Sequence, residues 1–530
     1  MANTNRELIL PEGNGTNTKG FTKPALAGLL LAVALFVAAR LWHLTTACLW
    51  FDELFSVHAA RHDWNGLISF VAADIVHPPL FYLLLKVWIT IGGDSLLWLR
   101  LFPALTAIAT LIPFFFLCRE LNLRAAEINL AVVLMAVSGH LIKYAQELRM
   151  YSLLLLLTLC SLVLFVRFFY SALDSKRCVA AALFAVNLLL VYTHYYGWMV
   201  IGVEWFFLLL ARCRELRSFS IAVAILALCF APWVYTVAQA GAKAERLGQN
   251  IGWAVRPGFY DLAEYYASLN SPFGTHQTGL LFTVIGAMLF GCPVLLWVWR
   301  FFREGEPEDQ RRIAALRWLV LFSFLPVALT FFLSRLLPQS IWGVRHLIIV
   351  AVPYLMLVSI AIHRARPYWI KITGLLLVGC WCLLAGFLLV TNNEKYIWCA
   401  WDGMTRQMIK TESQETNNIN VYAFEDLVAY HVWFALDSVN EKRFRVVLIK
   451  GIPGQVDDPA YFLPRGFHDV ALKDATALDE DNYWVAFRDA SANQNSEFLK
   501  NLSSKGYQIG ECFSMSAQGN TAFLVPVRRR

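Results

Sequence analysis

The sequence predicts an α-helical polytopic membrane protein with a small α/β domain at its C-terminal end. Hydrophobic residues make up 58% of the 530 residues and charged residues only 16%, which is far from the composition of soluble globular proteins. Long apolar stretches recur up to residue 391, and most of them approach the roughly 20 residues that a bilayer crossing requires. From Asn392 the composition changes abruptly to mixed polar. Together these observations exclude a soluble globular protein.

The apolar stretches predict about eleven membrane spans. They lie near residues 24–42, 97–118, 125–141, 152–170, 178–195, 197–212, 218–236, 278–300, 316–335, 346–363 and 369–391. Pro79–Gly92 is also apolar, but it contains Lys86, begins at a double proline and is too short to cross the bilayer. We therefore expect it to form a helix that lies in or dips into the membrane interface.

Basic residues gather in alternate connections between the predicted spans. They are Arg119, Arg124, Lys176, Arg177, Arg212, Arg214, Arg217, Arg303, Arg311, Arg312, Arg364, Arg366 and Lys371. Such connections are expected to be cytoplasmic, as is the tail 1–23, which has no small-residue cleavage site of a signal peptide. Residues 24–391 then form the membrane domain. The parts that are expected to lie outside the cytoplasm are its first loop (43–96), Glu147, Arg345 and residues 392–530.

Residues 392–530 have the pattern of a small extracytoplasmic α/β domain. Strand-like runs lie at Ile419–Phe424, Phe444–Ile449, Asn482–Phe487 and Ala522–Val527, with helical patterns at Glu425–Ala435 and Ser496–Ser504. Cys399 and Cys512 can form a disulfide with each other in an oxidising compartment. The presence of two cysteines in one domain does not decide whether they are bonded or free.

Two adjacent carboxylates, Asp52 and Glu53, follow the first apolar stretch and precede a predicted helix, Leu54–Arg61. Acidic side chains at this place stabilise the N-terminus of a helix. A carboxylate in a loop at the membrane edge also suits a general base, which must be held ready to take a proton. The residues alone leave both interpretations open.

Further polar clusters lie at the outer ends of spans. They contain Tyr144, Glu147, Arg149 and Tyr151; His194 and Tyr195; Arg345 and His346; and, alone in its span, Arg100. Interfacial aromatic belts, surface ion pairs and snorkelling arginines account for such residues. A guanidinium is equally suited to bidentate binding of phosphate. Glu204, inside a span, is expected to find a partner on a neighbouring helix.

The ordered set of motifs resembles the GT-C membrane glycosyltransferases. The motifs are Asp52-Glu53, His77-Pro78-Pro79-Leu80, Leu99-Arg100-Leu101-Phe102-Pro103-Ala104-Leu105 and Tyr144-Ala145-Gln146-Glu147-Leu148-Arg149-Met150-Tyr151. The resemblance covers roughly residues 25–365. It is strongest to the branch that holds glycosyltransferase family 39, the protein O-mannosyltransferases and the lipid A aminoarabinose transferase. The family usually has Arg-Tyr where this chain has Arg345-His346.

This resemblance implies an inverting transferase of the cytoplasmic (inner) membrane. A hexosyl or pentosyl group would pass from a polyprenyl-phosphate donor to a lipid, glycan or protein acceptor at the outer face. The predicted catalytic residues are Asp52, Glu53 and Glu147. The residues predicted to bind the donor phosphate are His77, Arg100, Arg149, Arg345 and His346. The residues predicted to line the acceptor or sugar pocket are Tyr144, Tyr151, His194 and Tyr195.

A glycosyl transition state places positive charge on the sugar and negative charge on the departing phosphate. A carboxylate near the acceptor and fixed cations near the phosphate can stabilise these charges without a metal. The first loop also has no Asp-x-Asp pair of the kind that could hold a metal ion. We therefore predict no metal and no other cofactor. We expect no nucleic-acid partner. A transporter or lipid flippase is the main alternative, although carriers commonly place charges at the midplane of paired repeats. A third possibility is a non-catalytic assembly factor that displays the C-terminal domain, but this function would not explain the polar motifs of the first loop.

Overall fold

The structure, a computed structural model, describes residues 22–170, 173–243, 254–271, 280–304, 310–391, 396–412, 418–450, 470–474, 478, 480–488, 499–517 and 520–529. The helices up to residue 391 are α1 (Lys23–Leu41), α2 (Phe51–Arg61), α3 (Trp64–Asp74), α4 (Leu80–Gly92), α5 (Leu96–Ala109), α6 (Leu111–Glu120), α7 (Ala125–Val137), α8 (Gly139–Gln146), α9 (Tyr151–Tyr170), α10 (Leu173–Thr193), α11 (Gly197–Leu210), α12 (Glu215–Lys243), α13 (Phe259–Ser268), α14 (Leu280–Gly286), α15 (Cys292–Glu304), α16 (Gln310–Leu336), α17 (Ile348–His363) and α18 (Tyr368–Thr391). A π-helical turn, Ala287–Gly291, joins α14 to α15.

The protein is a multi-pass membrane protein, and each predicted span coincides with helical structure; residues 278–279 of one span lie outside the described residues. Among the described residues, 8 helices are long and apolar enough to cross a membrane, or up to 9 if α7 and α8, bent by 59°, form one broken span, compared with the eleven or so that were predicted. The predicted spans 197–212 and 346–363 form α11 and α17, which have only 14 and 16 residues. Both helices are apolar, and α17 is buried along almost all of its length.

The bend between α7 and α8 has a clear cause in hydrogen bonding. Ser138, the N-cap of α8, donates its hydroxyl to the Leu269 carbonyl at 2.7 Å. The N–H of Gly139 donates to the carbonyl of Ser271 at 2.8 Å. Hydrogen bonds to the residues that end α13 thus replace backbone hydrogen bonds that would continue α7 into α8. Such an interruption of the backbone hydrogen bonds is a common cause of sharp kinks. The bend delivers residues 147–150 to the cluster described below.

Helix α4 corresponds to the predicted interfacial segment. It has 13 residues, too few to cross a bilayer. One face, with Phe81, Tyr82 and Leu85, is buried, whereas Val87 and Ile91 on the other are exposed. This one-sided burial agrees with a helix lying on the surface of the membrane domain, and its position in the interface stays a prediction.

The C-terminal region forms an α/β domain around one sheet, as predicted. Its strands are β1 (Ile419–Ala423), β2 (Phe444–Lys450), β3 (Ala471–Asp474), β4 (Asn482–Arg488), β5 (Tyr507–Ile509), β6 (Phe513–Ala517) and β7 (Asn520–Arg529), with helices α19 (Ala400–Thr411) and α20 (Asp426–Ser438). The sheet order is β3-β2-β1-β4-β7-β5, with β6 also on β7. Strands β3, β2, β1 and β4 are parallel, whereas β7 is antiparallel to its neighbours. Alternate side chains of these strands enter separate cores on the two faces of the sheet.

Four strand predictions are confirmed by β1, β2, β4 and the middle of β7, and α20 confirms the predicted helix at Glu425–Ala435. Of the predicted helix Ser496–Ser504, residues 499–504 are helical and residues 496–498 lie outside the described residues. Strands β3, β5 and β6 were not predicted. Strands β3 and β5 have only 4 and 3 residues, which leaves little room for an alternating pattern.

The structure answers the question that the sequence left open for Cys399 and Cys512: the two cysteines are not bonded to each other. Cys399, in a 3-10 turn (Ile397–Cys399) before α19, is bonded to Cys48 of the first loop, whereas Cys512 is a free, exposed cysteine. The sequence offered only a pairing within the C-terminal domain as a possibility, but the start of this domain lies against the first loop of the membrane domain. The disulfide therefore joins the two parts of the chain.

The buried acid Glu204 has the helix-packing partners that were expected. Its carboxylate accepts from the Ser161 hydroxyl at 2.6 Å and from the Asn187 amide at 3.0 Å. These residues lie on α9 and α10, next to α11, so the acid links three helices.

Candidate active site

Helix α2 brings the first carboxylate of the acidic pair to an arginine that is distant in sequence. Asp52, in the first turn of α2, pairs with Arg345, in the connection between α16 and α17, at an Oδ2–Nη1 distance of 3.0 Å. Each side chain retains 21% of its accessible surface. The pair is thus open enough to meet a substrate, yet fixed by two separate elements.

The second carboxylate of the pair points elsewhere. Glu53 is fully buried and pairs with Arg100 of α5 at 2.6 Å. Its carboxylate also accepts from the N–H of Leu148 at 2.6 Å and from the N–H of Trp50 at 2.9 Å. Arg100 in turn donates to the carbonyl of Cys48 at 2.7 Å. Both carboxylate oxygens are occupied, so Glu53 and Arg100 join α2, α5 and the loop after α8.

Arg149, in that same loop, lies at the centre of the cluster. Its Nη1 donates to the Asp52 carbonyl at 3.0 Å and to the Ser56 hydroxyl and the Tyr82 hydroxyl at 3.2 Å each. Its Nη2 is 3.2 Å from Nδ1 of His77. Ser56 and Tyr82 were not predicted. Ser56 could have been predicted from the sequence, because it lies one helical turn after Asp52 on the same face of the helix.

Three histidines from three connections converge beside these arginines. His77 precedes α4, His194 follows α10, and His346 precedes α17. One nitrogen from each ring lies within 4.8 Å of the others. The Nε2 atoms of all three are buried, and none has a hydrogen-bond partner among the described residues. Three rings with unpartnered Nε2 atoms thus lie in one cluster.

The proton positions of two of these rings follow from their partners. A guanidinium can only donate, so Nδ1 of His77 accepts from Arg149. A backbone N–H can only donate, so Nδ1 of His194 accepts from Tyr196 at 3.0 Å. Burial lowers the pKa of His194 to about 3 and that of His77 well below its ordinary value, so both are neutral. Each therefore carries its proton on Nε2.

Three histidines are a common donor set for Zn²⁺, but this cluster fits an anion better. A metal ligand needs an unprotonated nitrogen. In His77 and His194 the unprotonated Nδ1 already accepts from Arg149 and from the Tyr196 N–H, and Nε2 carries the proton. The neighbouring positive charges of Arg149 and Arg345 also lower the pKa values of both histidines and oppose a cation. Two N–H donors beside two guanidinium groups are suited to a phosphate.

Glu147 follows α8 and is 5% exposed. Its Oε1 has no hydrogen-bond partner in the described part of the chain. Burial is the main cause that raises its pKa from 4.5 to about 7; Lys143 and Arg345 oppose the shift. A carboxyl group that titrates near neutral pH is well matched to proton transfer.

The tyrosines predicted for the pocket divide into two groups. Tyr151 is buried, its hydroxyl has no partner among the described residues, and its ring lies 6.2 Å from that of His346. Tyr144 contacts Tyr151 at 5.0 Å between ring centroids. Tyr195 lies apart, because its hydroxyl donates to the Ile75 carbonyl at 3.1 Å. The next residue, Tyr196, was not predicted, yet its ring is 5.2 Å from that of His346.

The raised pKa of Glu147 predicts a pH dependence. If its carboxylate takes part in the reaction, the rate should rise as the pH increases through about 7, and Glu147→Gln should remove this limb. The folded protein binds this proton more tightly than the unfolded chain. The stability that results is present below pH 4.5 and is lost as the pH rises through about 7. Rates and melting temperatures between pH 5 and pH 9 test both effects; an unchanged limb in Glu147→Gln would assign it to another group.

Comparisons with known proteins match this chain to solved structures. No protein-family model and no curated protein matches it. Solved structures of ArnT from Cupriavidus metallidurans do match. The structure bound to undecaprenyl phosphate has a TM-score of 0.59 at 13% identity and covers 94% of this chain and 98% of that one. The apo structure has the same score and identity and covers 95% and 98%. A likeness at this identity shows the fold, and the chain therefore has the GT-C glycosyltransferase fold.

Proposed function

We propose that this protein is an inverting glycosyltransferase that moves a sugar from a polyprenyl-phosphate donor to an acceptor. The fold supports the class of reaction, and the related-fold protein ArnT was solved with undecaprenyl phosphate bound. The observation that carries the proposal is the pairing of Asp52 with Arg345 at 3.0 Å, in the same cluster as two neutral histidines, His77 and His194, whose Nε2 atoms have no partner among the described residues. One side of the cluster offers a carboxylate and the other offers donors for a phosphate.

The proposed reaction uses the carboxylate on one side of the cluster and the donors for the phosphate on the other. Asp52 accepts the proton of the acceptor as the acceptor atom bonds to the anomeric carbon. The bond from that carbon to the phosphate oxygen breaks, and the electron pair leaves with the lipid phosphate. Arg345, Arg149 and the Nε2–H groups of His77 and His194 stabilise the charge that develops on the phosphate. Attack from the side opposite to the phosphate inverts the anomeric centre.

The geometry also refines the roles expected for other residues. We assign Glu53 and Arg100 to positioning, because each is occupied by the other and by backbone groups. His194 belongs with the phosphate, together with His346, rather than with the sugar. Tyr144 and Tyr151 line the pocket on the side of Glu147. Tyr195 supports the loop around Ile75 from outside the pocket.

Glu147 is the competing candidate for the base. Glu147 has a pKa of about 7, close to the value that suits a general base, whereas the Asp52 carboxylate is paired with Arg345. In our proposal a donor phosphate competes with Asp52 for Arg345, and the carboxylate then becomes free to accept the proton. Since two guanidinium groups can balance the charge of a phosphate, the mechanism needs no metal.

We place the site at the outer face of the inner membrane. The disulfide between Cys48 and Cys399 links the first loop to the C-terminal domain, and disulfides persist in oxidising compartments. The distribution of basic residues favours the same orientation. The acceptor is then a lipid, glycan or protein accessible from that side, and the transferred group is a hexose or pentose.

The Arg345→Lys variant tests the proposal. Lysine keeps the charge but loses the planar fork, so we expect the KM for a polyprenyl-phosphate sugar to rise roughly tenfold, the effect of losing about 1.4 kcal/mol of binding. The measurement is transfer by purified protein in lipid, at equal folded amounts. Arg335→Lys is the control, because Arg335 donates to the Pro257 carbonyl outside the cluster. Unchanged donor dependence in Arg345→Lys would contradict the phosphate role.

A transporter or flippase predicts a different product. It would move the intact lipid-linked sugar across the bilayer and leave the sugar–phosphate bond unbroken. Release of free polyprenyl phosphate together with a glycosylated acceptor therefore separates the two functions.

A further inference from the structure

The C-terminal domain contacts the helix that carries Asp52. Helix α20 packs between the two parts of the protein. Val428, Val432 and Leu436 on one face enter the core of the C-terminal domain, whereas Tyr430 on the other face is 2% exposed and belongs to the core of the membrane domain. Trp433 packs against both cores. This helix is thus part of both hydrophobic cores.

The contacts of α20 run along α2. The ring of Tyr430 meets that of Phe51 at 6.1 Å, and the ring of Trp433 meets that of His58 at 5.4 Å, both edge to face. Asp437 accepts from Nη1 of Arg61 at 2.6 Å. The contacted residues of α2 are spaced by about two helical turns and then one, so they lie along one stripe of the helix.

The other end of α2 is fixed by the disulfide. Cys48 lies four residues before Asp52 and is bonded to Cys399. Its carbonyl accepts from Arg100, which is itself paired with Glu53 of α2. The N-terminal end of α2 is therefore held by a covalent bond and a buried ion pair, and the C-terminal end by the contacts of Arg61.

We infer that the C-terminal domain is a positioning element for Asp52: the Cys48–Cys399 disulfide and the contact of α20 with α2 together hold the carboxylate in the geometry needed for proton transfer. This inference rests on the proposed function. The stripe of α2 that meets α20 differs from the face with Asp52 and Ser56, which meets Arg345 and Arg149. The domain thus acts through α2 without touching the reacting atoms.

The inference predicts a larger loss of kcat than of donor binding. His77 and His194 are carried by connections other than α2, whereas Arg149 contacts α2, so the KM for the donor should change less than kcat. A displacement of about 1 Å in a catalytic group can lower a rate by up to roughly 100-fold. We expect kcat to fall about ten- to a hundredfold in Cys399→Ser and by a smaller factor in Asp437→Ala.

Matched controls exist within the same domain. Cys512→Ser removes an exposed free cysteine. Asp402→Ala removes an exposed carboxylate that pairs with Arg406 on α19 at 3.2 Å. Neither residue contacts α2, so both controls should keep the kcat of the parent protein. Asp437→Ala removes only a surface ion pair and tests the inference even if Cys399→Ser reduces the folded yield.

The decisive step combines these changes with Asp52→Asn. If the domain acts by positioning Asp52, Cys399→Ser should lower kcat in the parent protein but not in the Asp52→Asn variant. Full kcat in both Cys399→Ser and Asp437→Ala would overturn the inference, and so would an equal loss in the Asp52→Asn background. Failure of the proposed function has a different result, because the parent protein would then transfer no sugar at all.

Discussion

Asp52→Asn should lower the rate of sugar transfer by about two to four orders of magnitude, the usual contribution of a positioned general base. Asparagine keeps the size of the side chain and its place in the first turn of α2, but it has no basicity. The pair of Asp52 with Arg345 is partly exposed, so its loss should cost little stability. The variant should therefore insert and fold as the parent protein does.

The measurement is single-turnover transfer by purified protein in lipid, with a saturating donor. Asp63→Asn is the control, because Asp63 caps α3 by accepting from the N–H of Gly66 and lies outside the cluster. Turnover close to that of the parent protein in Asp52→Asn would show that neither the basicity nor the charge of Asp52 is needed, and would leave it as a residue that stabilises the N-terminus of α2. If Glu147→Gln alone abolished transfer, Glu147 would be the base.

Glu53→Gln should destabilise the protein by about 3–5 kcal/mol, the cost of leaving one partner of a buried ion pair alone. Glu53 has no accessible side-chain surface, and that of Arg100 is 6% exposed. The amide cannot neutralise the guanidinium, and its NH₂ group cannot accept the backbone N–H that its oxygen now receives from Leu148 or Trp50. This effect differs in kind from that of Asp52→Asn, although the two residues are adjacent.

The melting temperature in detergent and the yield of folded protein report this loss. Glu120→Gln is a matched control, since Glu120 pairs with Arg167 at 2.9 Å with 12% and 34% of the side chains exposed, and such pairs contribute less than about 1 kcal/mol. A melting temperature in Glu53→Gln equal to that of the control would show that the buried pair is not needed for stability. Any remaining folded Glu53→Gln should retain more activity than folded Asp52→Asn.

The sequence predicted the membrane helices well because the bilayer imposes a minimum length on each apolar stretch. It predicted the C-terminal sheet less completely, since short edge strands such as β5 carry little pattern. The sequence drew attention to Asp52, Glu147 and Arg345 as charged residues in clusters at the membrane edge, and Asp52 and Glu147 also belong to the motifs of the resemblance; their roles stay predictions. Their mutual arrangement was beyond the sequence, because it depends on the packing of helices that are far apart in the chain.

Other features of the site had only weak signals. Tyr82 lies on an apolar helix, where a tyrosine commonly marks the membrane interface, and only its contact with Arg149 sets it apart. The separate tasks of Asp52 and Glu53 follow from the rotation between successive residues of α2, but their partners do not. The proton positions of His77 and His194 required the positions of Arg149 and the Tyr196 N–H.

The disulfide also bears on how the protein is made. Cys48 and Cys399 are separated by 351 residues, and every apolar helix from α1 to α18 lies N-terminal to Cys399. The bond cannot form until the ribosome has completed the whole membrane domain and the second cysteine has met the first. Cys48 must stay reduced, or protected from other thiols, throughout insertion. Maturation of the candidate site therefore depends on an oxidation step late in biogenesis.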